Sequence, residues 1–230
     1  MRPDAVLKVG GSLCERPHSL GRLMAVLAEL ARIRALVVVP GGGRFAEEVR
    51  RADRLLGLGA SPAHWMAILA MDQTAHLLAA VAAGAVVVER PREVRAGRLN
   101  ILAPSRWLRE ANPLPHSWTV TSDSIAAWVA GALGARRLVL LKSVEGAPGA
   151  GRAVRARATP AQLGGIVDEH FARALRPGLS CWIVGGARPE RVAALLATGT
   201  TYGTEVSARG RPARRRVRAT AERARRRGRR

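Results

Sequence analysis

Hydrophobic positions along the chain come in two alternating textures. Short uninterrupted runs of aliphatic and β-branched residues are separated by longer stretches in which apolar residues recur at helical spacing. The short runs are Ala5–Val9, Ala35–Val39, Ala85–Glu89, Arg137–Leu141 and Cys181–Val184, and each reads as a buried strand. A further short strand is expected near Leu99–Leu102, and a last edge strand over Thr201–Val206. The spacing predicts a helix over His18–Ile33, with Leu20, Leu23, Leu27 and Leu30 on one face. Others are predicted over Phe45–Leu56, Pro62–Ala83, Ile125–Leu133, Pro160–Leu175 and Pro189–Ala197, the third of these opening on Thr121-Ser122-Asp123-Ser124. Residues 91–117 read as irregular, with a helical turn near Ser105–Arg109. Such alternation predicts an α/β fold in which helices cover both faces of a mainly parallel central sheet.

The composition excludes several classes. The chain has 230 residues, of which 48% are hydrophobic, so it buries a core and is not disordered throughout. Aromatic residues make up 3%, which argues against a nucleic-acid module built on base stacking. The longest apolar run, Leu77–Val88, is shorter than the roughly 20 residues of a membrane-spanning helix. The first residues pass directly into a strand with no secretory apolar region. Cys14 and Cys181 are far apart and form no CxxC pair, which excludes a disulfide framework and a cysteine-rich zinc site. A cytoplasmic protein is expected.

The net charge of +21 changes the picture only once it is located. Residues 208–230 hold twelve arginines and one acid, Glu222, and so carry +11 of the total. We therefore expect one domain over 1–207 and an arginine-rich, disordered tail over 208–230. The tail reads either as a solvated extension or as an arm for polyanions, nucleic acid included, held without sequence readout. A second count concerns chemistry. Of 38 basic residues only Lys8 and Lys142 are lysine. Lysine is a compact point charge on a slim stem, whereas arginine is a wide planar fork. The two lysines are candidates for positions where only an ammonium fits.

Both lysines stand near the ends of predicted strands. Lys8 precedes Gly10-Gly11-Ser12, where glycines allow close backbone approach and a helix start offers N–H groups to an anion. The order is not that of a Walker A loop. A similar exit follows the second strand at Gly41-Gly42-Gly43-Arg44. Ligands bind beyond the carboxyl ends of strands in open α/β sheets, so two such exits point to one shared anion site. Arg44 either adds charge there or is a solvated residue at a helix start. Asp123, one of five aspartates, is either an N-cap or a carboxylate that fixes two ammonium groups. Lys142 ends the fifth strand in Lys142-Ser143-Val144-Glu145-Gly146. The last glycine exit is Gly185-Gly186, with Glu190 near the following helix start. The helix from Pro62 carries His64, Asp72 and His76. A metal site needs three or four convergent ligands, so none is expected, and His64 and Asp72 read as ligand-contact candidates or as filling.

These elements, in this order, resemble the amino acid kinase superfamily, the carbamate kinase-like fold. The likeness is carried by Leu7-Lys8-Val9-Gly10-Gly11-Ser12, Val39-Pro40-Gly41-Gly42-Gly43, Thr121-Ser122-Asp123-Ser124, Lys142-Ser143-Val144-Glu145-Gly146 and Val184-Gly185-Gly186. It runs from residue 5 to about 206. It implies a three-layer αβα sandwich with an acceptor-binding half over about 1–115 and a nucleotide-binding half over about 116–207. It implies ATP and Mg²⁺, a small phosphorylated acceptor and a homo-oligomer. Lys8 and Lys142 would hold the transferring phosphoryl and Asp123 would organise them. Gly10, Gly11, Ser12, Gly42 and Gly43 would bind phosphate. Gly41, Arg44, His64 and Asp72 would meet the acceptor, Asp72 taking its aminomethyl cation. Ser143, Gly146, Gly185 and Gly186 would border the nucleotide.

Many members carry Thr-Asp-Val-Asp-Gly where this chain has Lys142-Ser143-Val144-Glu145-Gly146. With His64-Trp65-Met66-Ala67, Ala70-Met71-Asp72-Gln73 and a short acceptor half, that departure resembles the branch serving methanofuran biosynthesis. That branch phosphorylates [5-(aminomethyl)furan-3-yl]methyl phosphate to a diphosphate. Alternatives are the same fold acting on UMP, isopentenyl phosphate or an amino-acid carboxylate, and a non-catalytic nucleotide- or oxyanion-binding protein.

Overall fold

The computed structural model describes residues 2–143 and 156–206. Gly146 and the arginine-rich segment 208–230 lie outside the described residues. β1 (Ala5–Val9) is buried along its whole length, between parallel neighbours β2 (Leu36–Pro40) and β5 (Arg137–Lys142). On the β2 side follow β4 (Asn100–Leu102) and β3 (Val86–Val88). On the β5 side follow β7 (Ser180–Gly185), β8 (Thr204–Val206) and β6 (Ala156–Ala158). The sheet has the order β3-β4-β2-β1-β5-β7-β8-β6, and among these described strands only the β7–β8 pair is antiparallel.

Each face of the sheet has its own core. α1 (Pro17–Ala31) starts with proline at its first position and buries Leu20, Leu23, Met24, Leu27 and Ala31 at helical spacing. With α7 (Pro189–Thr198) it covers Ala5, Leu7, Val9, Val139 and Leu141. On the opposite face α5 (Ser122–Ala132) and α6 (Phe171–Ala174) cover Val6, Leu138, Leu140 and Ile183. α3 (Ala60–Val81) supplies Ile68 and Met71 to one core and Ala75 and Leu78 to the other. α2 (Gly43–Leu56) packs along α3, and α4 (Ser105–Ala111) seats Leu108 in the α5-side core. Fully burying one such leucine contributes about 1.5–3 kcal/mol. None of the described helices is long and apolar enough to cross a membrane.

The pleat explains where the two lysines point. Alternate strand residues share a face, so Lys8 follows Val6 and Lys142 follows Leu140 toward the α5 side. Lys8 lies opposite Leu140 in the parallel register, which puts Lys142 two residues further along the neighbouring strand.

Three expectations from the sequence need correction. Pro160–Leu175 is not one helix: a 3-10 turn over Pro160–Leu163 stops at Gly164-Gly165, where Gly165 takes φ 78°, and α6 spans only Phe171–Ala174. β6 is an additional strand, without a sequence signal because Ala-Arg-Ala carries no β-branched or alternating pattern. Thr204–Val206 is not an edge strand, since β6 pairs on its outer side.

Candidate active site

Three side chains meet at the carboxyl ends of β1 and β5. Lys8 Nζ lies 3.0 Å from Asp123 Oδ1, and Lys142 Nζ donates to Asp123 Oδ2 at 2.6 Å. Asp123 sits in the first turn of α5 and is 4% exposed; Lys8 is 5% exposed. One carboxylate therefore bridges two ammonium groups that would otherwise repel. Burial alone would push the Asp123 carboxyl up, but Lys8 and Lys142 together outweigh it and hold it below the usual carboxylate range. Burial, then Lys8, lowers Lys142 from the ordinary lysine value, against the opposing pull of Asp123.

The ammonium pair stands in the wall of a cleft of about 450 Å³ that is also lined by the two glycine exits. These exits touch. A Cβ on Gly11 would collide with Gly43 Cα, and one on Gly41 would come within 2.7 Å of Gly11 N. Gly43 has φ 55°, where a side chain is strained. Gly11 and Ser12 open a 3-10 turn over Gly11–Glu15 and Gly43 opens α2, so their N–H groups have no acceptor within the helix. Gly10 departs from the expected phosphate set, because its N–H donates to the Leu141 carbonyl at 3.1 Å. Gly10 instead leaves room beside the Lys8 ammonium.

Of the expected acceptor residues, Gly41, Arg44 and His64 line the cleft. Arg44 is largely exposed and pairs with Glu15 at 3.4 Å. His64 is buried and stacks on His116 at a centroid distance of 4.5 Å. Burial, reinforced by His116, lowers its pKa to about 4, so the ring is neutral near pH 7. Asp72 is not in the cleft. Its Oδ1 accepts from the Ser105 N–H at 3.1 Å, at the start of α4, which removes it as the partner of an acceptor cation. His76 is exposed on α3. Of the residues expected to border a nucleotide, Ser143 follows Lys142, and Gly185 pairs with Lys142 across the sheet. The Gly186 N–H is engaged by the Lys142 carbonyl at 2.8 Å, and Gly186 packs against Leu13 where a Cβ would lie 2.5 Å away. Among the described residues no three His, Cys, Asp or Glu side chains converge to hold a metal ion.

The structure adds cleft residues that the sequence did not mark. Trp118 and Arg50 line it, with the Arg50 guanidinium 4.2 Å from the Trp118 ring centroid. The Trp118 Nε1–H donates to Asp53 Oδ2 at 2.7 Å, which fixes the indole. Among the described residues, Glu15 and Glu47 are the wall carboxylates besides Asp123. Glu47, Arg50 and Asp53 lie on one face of α2 at spacings of three, a signal readable only once Trp118 is known to face them.

The Amino acid kinase family sequence model matches residues 5–147, more than half of the chain and every element that carries Lys8, Asp123 and Lys142. The chain belongs to the amino acid kinase family. This family member is an ATP-dependent kinase. It is 30% identical over 201 residues to the [5-(aminomethyl)furan-3-yl]methyl phosphate kinase of Methanocaldococcus jannaschii, covering 83% of this chain and 92% of that one. Its fold is similar to the uridylate kinase of Archaeoglobus fulgidus, with a TM-score of 0.67 at 20% identity over 89% of this chain and all of that one. The UMP kinase of Ureaplasma parvum is similar with a TM-score of 0.64 at 15% identity, over 90% of this chain and all of that one. At those identities the kinship to the UMP kinases is one of fold.

Proposed function

We propose that this kinase transfers the γ-phosphoryl group of ATP to the phosphate of [5-(aminomethyl)furan-3-yl]methyl phosphate, giving a diphosphate and ADP. The observation that carries the reading is Asp123 bridging Lys8 and Lys142 in the wall of the cleft. Phosphoryl transfer needs little covalent chemistry from a protein, and positioning with charge stabilisation supplies most of the effect. An acceptor phosphate oxygen attacks the γ-phosphorus, the bond to the β–γ bridging oxygen breaks, and ADP leaves with that electron pair. Lys8 and Lys142 meet the equatorial oxygens as charge spreads over them. Asp123 keeps both ammonium groups aimed. The N–H groups of Gly11, Ser12, Gly42 and Gly43 add donors from the other side. A phosphate monoester is already ionised, so no strong general base is needed.

Residues over about 1–115 serve the acceptor. His64 is neutral and flat, and with Ile68 and Met71 it offers an apolar seat for a furan ring. Gly41 and Arg44 stand on the acceptor side. Glu15 and Glu47 offer the counter-charge for an aminomethyl group that Asp72 does not. Residues over about 116–207, with Ser143 and Gly185 beside Lys142, serve the nucleotide. Mg²⁺ bound with the nucleotide would offset the negative charge of its phosphates.

The test is mass-spectrometric detection of a diphosphate from ATP and the furan monophosphate, beside ADP release with UMP, isopentenyl phosphate and amino acids. A diphosphate from the furan compound supports the reading. Faster turnover of another acceptor replaces the furan assignment. ADP release with none of them points to a non-catalytic oxyanion-binding protein.

A further inference from the structure

The helix that presents Asp123 does not cap itself. Thr121 occupies the N-cap of α5, yet its side chain makes no capping bond within the helix. The cap comes from Asp168, in the loop between the Pro160–Leu163 turn and α6. Asp168 Oδ2 accepts from the Thr121 N–H at 2.9 Å, the Thr121 hydroxyl at 2.8 Å and the Ser124 N–H at 3.0 Å. The Ser124 hydroxyl donates to its other oxygen. Thr121 and Ser124 bracket Asp123, the first two residues before it and the second directly after. The same loop is tied again where the His170 N–H donates to the Thr119 carbonyl at 3.2 Å.

We propose that Asp168 is a positioning residue: its carboxylate locks the first turn of α5 and so fixes the direction in which Asp123 offers one oxygen to Lys8 and the other to Lys142. The role rests on the phosphoryl-transfer reading of the site. Asp123 finds its side-chain partners only in the two lysines among the described contacts, so its aim is set by the backbone that carries it. Asp168 holds that backbone on both sides. Its charge also favours the helix start. Among the described residues, the charged and titratable groups around Lys142 are Lys8 from β1, Asp123 from α5 and Asp168 from the loop. The buried Cys181 thiol of β7, near Asp123, is kept protonated by burial and by that carboxylate. Asp168 raises the Lys142 pKa against burial and Lys8, so removing its charge should lower it further.

The lysine count makes the test direct. Full-length protein labelled with [13Cε]lysine gives two side-chain signals, Lys8 and Lys142, assigned by the loss of one in Lys142→Arg. In Asp168→Asn the Lys142 signal is expected to titrate at lower pH than in the wild type. Turnover is expected to fall about ten- to a hundred-fold at nearly unchanged KM for ATP, because aim is lost and binding is kept. A helix cap of merely structural value would lower the melting temperature and leave kcat at the wild-type value, the Lys142 shift reporting only the lost charge of Asp168. A folded Asp168→Asn protein with wild-type kcat overturns the proposal, whatever its Lys142 titration. Should Asp168→Asn not fold, Ser124→Ala removes one of the four bonds, and a wild-type kcat there overturns it equally. Wild-type protein that releases no ADP with any acceptor overturns the kinase reading instead, whereas a wild-type kcat in Asp168→Asn overturns only the role of Asp168.

Discussion

Lys8 and Lys142 are held by the same carboxylate, but arginine would not serve in either place. A guanidinium presents a fixed planar fork, and Asp123 offers each ammonium a single oxygen in a buried site. Lys8→Arg and Lys142→Arg should each lower kcat by about 10²–10³-fold while the melting temperature changes little. Steady-state ADP release and a thermal melt on the same samples check this; wild-type turnover in both variants would end the two-lysine model. The pair is legible in the sequence because every other basic position is arginine, so the two exceptions stand out. Asp123 is legible as a charged residue at a helix start. Asp72 misleads for a physical reason. A carboxylate in a helix can satisfy the start of another helix, and nothing in the linear sequence says that Ser105 lies beside it. Asp168 is hidden the same way, 44 positions from the Ser124 it holds.

At the scale of elements, the glycine exits set the cleft. Gly11 and Gly43 approach so closely that a methyl group on Gly11 has no place to go, and backbone lies on the far side of the clash. Gly11→Ala should therefore cost about 1–3 kcal/mol and distort the two glycine loops that line the cleft, lowering both melting temperature and turnover. Gly21 is the contrasting case. It lies inside α1 at ordinary φ, and a methyl group added there would have nothing within 4 Å. Gly21→Ala should stabilise by about 0.5–1 kcal/mol and leave turnover untouched. Chemical denaturation of the two variants, side by side, separates a glycine required by crowding from one that is not. The strands around these exits are legible because buried parallel strands read as apolar runs. Pro160–Leu175 is not, because apolar residues at helical spacing there belong to a turn, a loop and a four-residue helix split by Gly164-Gly165.

For the molecule as a whole, acid should unfold it through two groups acting in the same direction. His64 has a folded pKa of about 4 against 6.5 for a free histidine, so the unfolded chain binds the proton more tightly. Its contribution to stability is complete above about pH 6.5 and is lost as pH falls toward 4. Asp123, held below the usual carboxylate range by two lysines, extends the loss to lower pH. His64→Gln should flatten the fall in melting temperature between pH 6.5 and 4; an unchanged slope would assign the loss to other groups. The layered architecture itself is legible, since alternating strands and helices leave few arrangements. The order of the last strands is not, because β6 gives no signal of its own.

β1 and β5 are adjacent rungs of one hydrogen-bonded ladder, with strands about 4.8 Å apart. No hinge runs between the two lysine stems. Whatever swings shut over the substrates, the gap between the charged tips is set in the resting protein, and none of the energy of substrate capture is diverted into assembling them.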